Sequence, residues 1–273
     1  MPELPEVETI VKTMGVSLLN EQIKAINLRY QPLLEIGSEY PIDVLVGESF
    51  VDFKRRGKYV WFELSNGYNW IIHLRMEGKF HLYDSQQRPN THTHLTFNTT
   101  NHFVHYLDTR KFSRMVVTKH PEQFFESKRL GYEPWDEKLT SEYLKKKYST
   151  IGRPIKLVLL DQAIFVGVGN IYADEILHDI RVHPLTPAKM ISTIKLSQLI
   201  LSARRILENA IQAGGTTIRS YTSGLNVHGR FQIQLAAYGQ GGKPCPRCGT
   251  TMDRIVIGGR SSVFCPKCQK VKR

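Results

Sequence analysis

The chain has 273 residues, of which 41% are hydrophobic and 23% are charged, and its formal net charge is +12. This length predicts two domains, and no apolar run approaches the roughly 18 residues that a membrane span needs. No basic segment followed by an apolar core marks a secretory leader, so we expect a cytoplasmic protein. A basic chain of this kind most often binds nucleic acid.

The first predicted element is a helix over PEVETIVKTMGVSLL, where apolar residues recur at helical spacing. Glu3 and Glu6 fall at its N-terminal end, where acidic side chains also interact favourably with the helix dipole. A second residue that is small or conformationally constrained, such as proline, commonly permits removal of the initiator methionine. We therefore expect a mature chain that begins with Pro2 and carries a free secondary amine.

The residues up to about 130 predict antiparallel β-strands. Apolar and polar residues alternate between turn residues in QIKAINLRY, SFVDFKRRGKYVWFELSN, WIIHLRMEGKFHLYD, HTHLTFNT and HFVHYLDTRKFSRMVVT. Many short strands at this spacing indicate a sandwich or a barrel.

Two apolar side chains stand beside cations at predicted loop tips of this β region. Met76 lies in HLRMEGKF, and Phe112 lies in DTRKFSR. Apolar residues at such tips suit wedges that enter between DNA bases, with arginine filling the space left behind. The alternative interpretation is that both side chains are buried in the core.

From about residue 135 the apolar pattern becomes helical. Helices are predicted over SEYLKKKYS, PIKLVLLDQ, VGVGNIYADEILHDI and residues 192–213, the last ending at a pair of glycines. Asn170 falls where the third of these helices starts. It could donate to a phosphate at the helix N-terminus, or it could be an ordinary N-cap.

The cysteines predict a metal site near the C-terminus. Two Cys-x2-Cys pairs are separated by sixteen residues, at Cys245, Cys248, Cys265 and Cys268. Four thiolates at this spacing suit a tetrahedral structural Zn²⁺ site. The alternative of two disulfides is disfavoured because no secretory leader is predicted, and a redox pair because no βαβ pattern surrounds the cysteines.

The region around this metal site is strongly basic. From residue 215 onward the chain carries ten Lys or Arg residues and one acid, Asp253. Two short strands between the cysteine pairs are predicted to meet at Gly258-Gly259. Arg260 follows this turn, where its guanidinium suits a phosphate.

Together these motifs resemble the formamidopyrimidine-DNA glycosylase family. The resemblance covers nearly the whole chain through PELPEVE, RRGKY at 55–59, HLRMEG at 73–78, DTRKF at 108–112, GVGNIYADE at 167–175, GGTT at 214–217 and the four-cysteine finger with its GGR. It implies an α+β fold. The implied parts are an N-terminal antiparallel β-sandwich with an N-terminal helix (1–134), a helix-two-turn-helix domain with a lesion-capping loop (135–240) and a four-cysteine zinc finger (241–273).

The resemblance also implies an activity. It is that of a monomeric, nucleoid-associated repair enzyme that removes 8-oxoguanine and formamidopyrimidines from double-stranded DNA and then cleaves the strand at the abasic site. Pro2 would be the nucleophile, Glu3 the general acid and base, and Glu6 a supporting residue. Lys58 would assist β-elimination, and Arg260 would assist δ-elimination.

Further residues are implied to contact DNA. The wedge that fills the space of the flipped nucleotide would be Met76, Arg110 and Phe112. The other implied contacts are His73, His92, Arg153 and Asn170. Arg153 stands in TIGRPIK, which departs from the more lysine-rich stretch of the family, and a loop near residues 219–229 would close over the flipped base.

A terminal amine fits this chemistry physically. It titrates near ~8, whereas a lysine with a pKa near ~10.4 is almost fully protonated at neutral pH. Two alternatives stay open. One is the sister family that resembles endonuclease VIII and prefers oxidised pyrimidines, and the other is a non-catalytic zinc-ribbon protein that only binds DNA.

Overall fold

The computed structural model describes residues 2–215, 221–222 and 235–271. The chain forms two compact units: a sandwich unit, Met1–Lys128 with Ala213–Arg230, and a helical unit, Arg129–Gln212 with Phe231–Arg273. Across the described residues, no helix combines the length and the apolar character that a bilayer span requires. The three-domain division at residues 134 and 240 stays a prediction.

The sandwich unit begins with a helix and continues as strands. Its elements are α1 (Leu4–Leu18), β1 (Ala25–Leu28), β2 (Phe50–Arg56), β3 (Tyr59–Leu64), β4 (Asn69–His73), β5 (Lys79–Tyr83), β6 (Thr93–Asn98), β7 (Phe103–Leu107), β8 (Arg114–Thr118), α2 (Pro121–Ser127) and β9 (Tyr221–Thr222). One sheet has the order β1-β6-β7-β5-β9, and the other has the order β2-β3-β4-β8. Every pair is antiparallel except β5 with β9, so the predicted strand segments are confirmed.

The two sheets face each other across one apolar core, which makes this unit a sandwich rather than a barrel. Trp70 of β4 meets Phe97 of β6 edge-on at a ring-centroid distance of 5.4 Å. Phe62 of β3 lies 5.9 Å from Phe80 of β5, with the two rings tilted. In β3 and β5 alternate residues are buried, as expected for strands that pack one face against the opposite sheet.

Helix α1 packs against β2 and β3 through the apolar stripe that the sequence predicted. Val7, Ile10 and Met14 are almost completely buried in the sandwich core. Burial of a stripe at this spacing fixes the rotation of the helix about its axis. The acids at the start of α1 are thereby held at a defined place on the unit.

One element of the sandwich unit contradicts the sequence-based prediction, which after the N-terminal helix expected only strands up to about residue 130. Helix α2 occupies residues 121–127, with Pro121 at its first turn, where a missing N–H is harmless. Phe124 and Phe125 from this helix each lie 5.8 Å from the ring of Tyr59. These contacts with a distant strand stabilise a helix too short to be stable alone.

The helical unit confirms the other predicted elements. They are α3 (Ser141–Tyr148), α4 (Ile155–Leu159), α5 (Asn170–Asp179), α6 (Thr193–Gln212), β10 (Asp253–Ile257) and β11 (Arg260–Phe264). Helix α4 is shorter than the predicted PIKLVLLDQ segment. Helix α6 matches the predicted long helix, and the chain after it passes through Gly214 and Gly215, which both have positive φ angles.

Strands β10 and β11 form a hairpin with a two-residue turn. Gly258 (φ +54°) and Gly259 (φ +73°) both lie in the left-handed region, as a type I′ turn requires. The turn pairs Ile257 with Arg260, so Arg260 is the first residue of the returning strand. The glycine pair therefore determines where this arginine stands.

Replacing Gly78 by alanine should destabilise the sandwich unit by about 1–3 kcal/mol. A Cβ at this position would lie 2.1 Å from the hydroxyl of Tyr106, 2.5 Å from Oγ of Ser113 and 2.7 Å from the carbonyl oxygen of Leu74. Urea unfolding measures the effect. Gly37→Ala is the matched control, because its Cβ would meet no described atom within 4 Å, and equal stability of the two variants would contradict the packing argument.

Candidate nucleic-acid interface and metal centre

The residues that follow Pro2 are locked into the first turn of α1. The side chain of Glu6 accepts a hydrogen bond from the N–H of Glu3 at 2.9 Å, and the two residues form a reciprocal capping box. Both side chains are nearly inaccessible, with exposed fractions of 2% and 3%. A Cβ at Gly215 would lie 3.0 Å from Oε1 of Glu6, so this glycine permits close backbone approach. Glu6 therefore fixes the backbone on which Pro2 and Glu3 stand.

Lys58 lies in the turn between β2 and β3 and is only 7% exposed. The turn is tied to α1 because Nε of Arg55 donates to Oε2 of Glu8 at 2.8 Å. A second nitrogen of Arg55 donates to the carbonyl of Gly57 at 3.0 Å and closes the turn. This bridge holds the turn that carries Lys58 against the helix whose N-cap is Glu3.

His73 is a neutral imidazole at the end of β4. Burial, with Arg75 and Lys58 adding to it, lowers the pKa of His73 to about 3. Its Nδ1 accepts a hydrogen bond from the N–H of Arg75 at 3.0 Å. The proton of the neutral ring is therefore on Nε2, and this nitrogen can donate to an oxygen such as that of a phosphate.

The lowered pKa of His73 makes the stability of the fold depend on pH. Below pH 6.5 the unfolded chain binds a proton at this residue that the folded chain does not bind, so stability is fully present above pH 6.5 and falls as the pH drops towards 3. At pH 5 the loss should reach up to about 2 kcal/mol. Urea unfolding at pH 7.5 and pH 5 should show a smaller loss for His73→Phe, and an equal loss would contradict this origin.

Met76 and Phe112 lie on two neighbouring loops of the sandwich unit. The loop after β4 and the loop after β7 are joined by a hydrogen bond from Thr109 to Glu77 and by one from Oγ of Ser113 to the carbonyl of Leu74 at 2.9 Å. The two apolar residues are thus on adjoining loops, as the wedge interpretation requires.

Backbone conformation and exposure support the same interpretation. The residues directly before the two apolar ones, Arg75 (φ +53°) and Lys111 (φ +58°), are in the left-handed region, which is uncommon for side chains of this size. Phe112 is 50% exposed, so for this residue the alternative of a core position is wrong. Met76 is half-buried.

The loop that carries Phe112 is organised by a buried carboxylate. Asp108 accepts hydrogen bonds from the N–H of Arg110 at 3.0 Å and from the N–H of Ser113 at 2.9 Å, and it shares the single hydroxyl proton of Ser113, at 2.7 Å, with the carbonyl of Leu74. The guanidinium of Arg110 lies 4.8 Å above the ring of Phe112. The exposed His92 is anchored to this loop, because its carbonyl accepts the N–H of Asp108 at 3.0 Å. Hydrogen bonds between residues of the same loop therefore fix its geometry.

In the helical unit, Asn170 is the first residue of α5, and the N-cap is Gly169, so the N-cap interpretation of Asn170 is wrong. The side-chain amide of Asn170 donates to the carbonyl of Ser261 on β11 at 3.1 Å.

Two further predicted DNA contacts of this unit, Arg153 and Arg260, are both exposed. Arg153 forms an ion pair of 3.2 Å with Asp161, whereas Arg260 stands at the hairpin turn.

A buried ion pair connects the helices to the hairpin. Nζ of Lys156 on α4 donates to Oδ1 of Asp174 on α5 at 2.6 Å, and both side chains are almost inaccessible. Lys156 also donates to the carbonyl of Ser261 at 3.2 Å, and Asp174 accepts the N–H of Val263 at 3.1 Å. Burial, opposed by Lys156, raises the pKa of Asp174 to about 6. The pair fixes β11 against the start of α5.

The four cysteines form one cluster. Their sulfur atoms all lie within 4.8 Å of one another, and Cys248 is 3.5 Å from Cys265 and 3.4 Å from Cys268. A tetrahedron with Zn–S bonds of about 2.3 Å has sulfur atoms about 3.8 Å apart. The cluster therefore has the size of a zinc–tetrathiolate site.

The close packing of the four thiols makes their simultaneous ionisation electrostatically unfavourable. Hydrogen bonds from Thr250 lower the pKa of Cys248 to about 6, whereas burial and the neighbouring sulfur atoms raise the pKa of Cys268 to about 12. Four thiolates cannot coexist at neutral pH without a compensating positive charge. A divalent metal supplies that charge.

Family models cover most of the chain. Residues 1–115 match the formamidopyrimidine-DNA glycosylase N-terminal domain, residues 130–222 the formamidopyrimidine-DNA glycosylase H2TH domain, and residues 242–271 a zinc finger found in FPG and IleRS. A formamidopyrimidine-DNA glycosylase of Exiguobacterium sp. is 40% identical to this chain over an alignment of 280 residues. The alignment covers 99% of this chain and all of the relative. The Bacillus subtilis protein of the same name is 40% identical over the full length of both chains.

The chain belongs to the formamidopyrimidine-DNA glycosylase family. Solved structures agree with the assignment. A Lactococcus lactis Fpg bound to DNA with an abasic site has a TM-score of 0.92 and 34% identity, with 98% of this chain and 99% of that chain covered. A point mutant of the L. lactis protein, bound to DNA containing Fapy-dG, has the same score and identity over 98% and 100%.

In this member of the formamidopyrimidine-DNA glycosylase family, the four cysteines hold a structural zinc. The metal crosslinks the two cysteine pairs that flank the hairpin β10–β11. A segment of this length has little apolar core, so metal binding supplies much of its folding free energy. The loop predicted near residues 219–229 lies outside the described residues, apart from β9.

Local sequence pattern did not identify the buried residues that fix loops and strands within each unit, namely Asp108 in the sandwich unit and Lys156 and Asp174 in the helical unit. One signal was available for the ion pair. Lys156 interrupts the apolar run of PIKLVLL, and a charge on the apolar face of a short helix indicates a buried partner. The partner itself, eighteen residues further on, cannot be identified from local pattern.

Proposed function

We propose that this protein is a base-excision repair enzyme that removes oxidised purines, including 8-oxoguanine and formamidopyrimidines, from duplex DNA and then cleaves the strand at the abasic site. The family supports this function, because its relatives are named formamidopyrimidine-DNA glycosylases and a point mutant of the L. lactis Fpg has been crystallised with DNA containing Fapy-dG. The protein acts on DNA in the cytoplasm as a monomer.

The proposed reaction starts with the amine of Pro2. The nitrogen attacks C1′ of a nucleotide that has been flipped out of the duplex, the C–N bond forms, and the glycosidic bond breaks as the base leaves with its electrons. Glu3 donates a proton to the sugar ring oxygen as the ring opens, and the amine releases its proton. The product is an iminium ion that joins Pro2 to the sugar.

The iminium then supports two eliminations. Loss of a 2′ proton expels the 3′ phosphate, and Lys58 assists this β-elimination. A second elimination expels the 5′ phosphate, and Arg260 assists it by binding phosphate. Water finally hydrolyses the iminium and restores the Pro2 amine, leaving a gap of one nucleotide.

Recognition of the duplex is assigned to residues that can donate to phosphate or enter the base stack. Met76, Arg110 and Phe112 fill the space of the flipped nucleotide, supported by the adjoining loops and the cation–ring contact. His73, through its Nε2 proton, contacts phosphate, as do His92, Arg153 and Asn170. The lesion-capping role of residues 219–229 stays part of this proposal.

The observation that carries the proposal is the locked geometry of the first turn of α1. Glu3 is buried, directly follows Pro2, and has its backbone fixed by Glu6. A carboxyl group held beside a secondary amine is the pair that amine catalysis at C1′ needs.

Reduction with borohydride during turnover tests the proposal. An abasic duplex should become covalently attached to the protein, and peptide mapping should place the adduct on Pro2. Intact-mass measurement should show that the first methionine has been removed. A matched chain with an uncleaved extension before Pro2 should bind DNA but give no adduct, and an adduct on Lys58 or another lysine would overturn the assignment.

A second substrate class is favoured by one structural relative. A L. lactis Fpg with 33% identity to this chain and a TM-score of 0.91 has been crystallised with DNA containing an oxidised pyrimidine. Excision from duplexes with 8-oxoguanine or thymine glycol, measured side by side, distinguishes the two preferences. Faster release of thymine glycol would replace the purine assignment.

A further inference from the structure

His178 makes a contact with the metal centre that the enzymatic reaction does not use. It lies in the last turn of α5 and is only 2% exposed. Its Nε2 is 3.4 Å from Sγ of Cys245, a hydrogen-bond distance when the acceptor is sulfur. A thiolate bound to zinc has no proton, so the imidazole nitrogen must be the donor in this contact.

The same face of α5 binds the chain on both sides of Cys245. Glu175, one turn before His178, accepts the backbone N–H groups of three successive residues, 236–238, at 2.8–2.9 Å. Asp179 accepts a hydrogen bond of 2.7 Å from Arg247, which lies between the first two cysteines. Residues three and four apart share one helix face, so α5 presents a continuous polar surface to the first cysteine pair.

The sulfur atoms of the cluster differ in where their hydrogen bonds originate. Sγ of Cys265 accepts the backbone N–H of Cys268 at 3.4 Å, a bond within its own Cys-x2-Cys pair. Cys245 instead receives its donor from a helix that is 67 residues away in sequence. Hydrogen bonds to a ligand from outside the coordination sphere orient it and reduce its negative charge.

We propose that His178 is a positioning residue for the zinc centre, which holds the Cys245 thiolate by an N–H···S hydrogen bond and thereby couples retention of the metal to helix α5. Asn170 begins this same helix and binds Ser261 of the hairpin. The hairpin is therefore attached to α5 at the start of the helix through Asn170 and at its end through the zinc ligand. This role does not depend on the reaction proposed above.

Two substitutions separate the hydrogen bond from simple packing. His178→Phe keeps a flat ring of similar size but removes the donor, whereas His178→Gln keeps an N–H donor at a similar distance from the backbone. Zinc transfer from the purified full chain to a chromophoric chelator is the measurement. We expect release about 10–100-fold faster for His178→Phe, and release close to the parent rate for His178→Gln.

His183→Phe controls for loss of a buried histidine near the finger. His183 is 5% exposed and packs on Phe264 at 4.3 Å, but its ring accepts a backbone N–H from Leu185 instead of donating to sulfur. This variant should keep the parent rate of zinc release. Equal acceleration in His178→Phe and His183→Phe, or parent-like release from His178→Phe, would overturn the proposal.

A spectroscopic readout completes the test. In the cobalt-substituted protein, loss of a hydrogen bond to a thiolate raises the energy of its sulfur electrons, so the thiolate-to-metal charge-transfer band should move to longer wavelength in His178→Phe and return in His178→Gln. A purely structural role for the histidine would leave this band in place. An unchanged band in His178→Phe would therefore also overturn the proposal.

Discussion

Glu3→Gln should abolish base release while the protein keeps its fold and its affinity for damaged DNA. General acid–base catalysis contributes about 10²–10⁴-fold to a rate, and the amide cannot donate a proton to the sugar ring oxygen as the carboxylic acid does. The stability of α1 should change little, because glutamine keeps a side-chain oxygen that can accept the hydrogen bond of the cap. Single-turnover excision from an 8-oxoguanine duplex measures the effect.

The matched control for this variant is Glu8→Gln. Glu8 lies on the same helix and binds Arg55, but it belongs to neither the capping box nor the proposed reaction. It should keep its excision rate within about threefold of the parent, although the turn that carries Lys58 becomes less firmly held. If Glu3→Gln excised bases as fast as Glu8→Gln, Glu3 would have no catalytic role.

Cys265→Ser should remove zinc and lower the affinity for DNA by at least about 100-fold. Without the metal, the hairpin loses the crosslink that fixes Arg260, and a hydrogen bond between charged groups contributes about 1.5–3 kcal/mol. Two such contacts account for a change of this size. Metal content by mass spectrometry and DNA binding by fluorescence anisotropy measure the two effects.

The sandwich unit should remain folded in this variant, because its apolar core includes none of the four cysteines. Val256→Ser is the matched control: Val256 lies on β10, and its side chain is 70% exposed, so the substitution changes the hairpin surface without touching the metal ligands. The control should bind zinc and DNA as the parent does. Unchanged DNA affinity in Cys265→Ser would show that the finger does not contribute to binding.

Much of the fold can be predicted from local pattern. The elements that were predicted each show a regular spacing of apolar residues and end at recognisable turn residues. The stripe of α1, the alternating strands and the glycine pair at residues 258–259 each predicted the element that the structure contains. The four cysteines predicted the metal centre from spacing alone. In these cases the interaction that decides the structure lies within the same short segment.

The features that local pattern did not predict have one property in common. Each depends on a contact with a residue far away in the sequence. Helix α2 is stabilised by Tyr59 of β3 and has too few residues to show a period. Asp108 binds residues of its own loop, but Ser113, one of its donors, also contacts the carbonyl of Leu74 on the loop after β4. His178 looks like an ordinary residue of an amphipathic helix until the fold places Cys245 beside it. Pattern analysis cannot supply contacts that the chain makes only after it has folded.

The interior pairing of Lys156 with Asp174 has an evolutionary consequence. Removing one partner of a buried ion pair costs about 3–5 kcal/mol, whereas exchanging both for well-packed apolar side chains is often neutral. A single substitution at either position would therefore be eliminated by selection, and a lineage could abandon the pair only by changing both codons. Among homologous chains, these two positions should vary jointly or not at all.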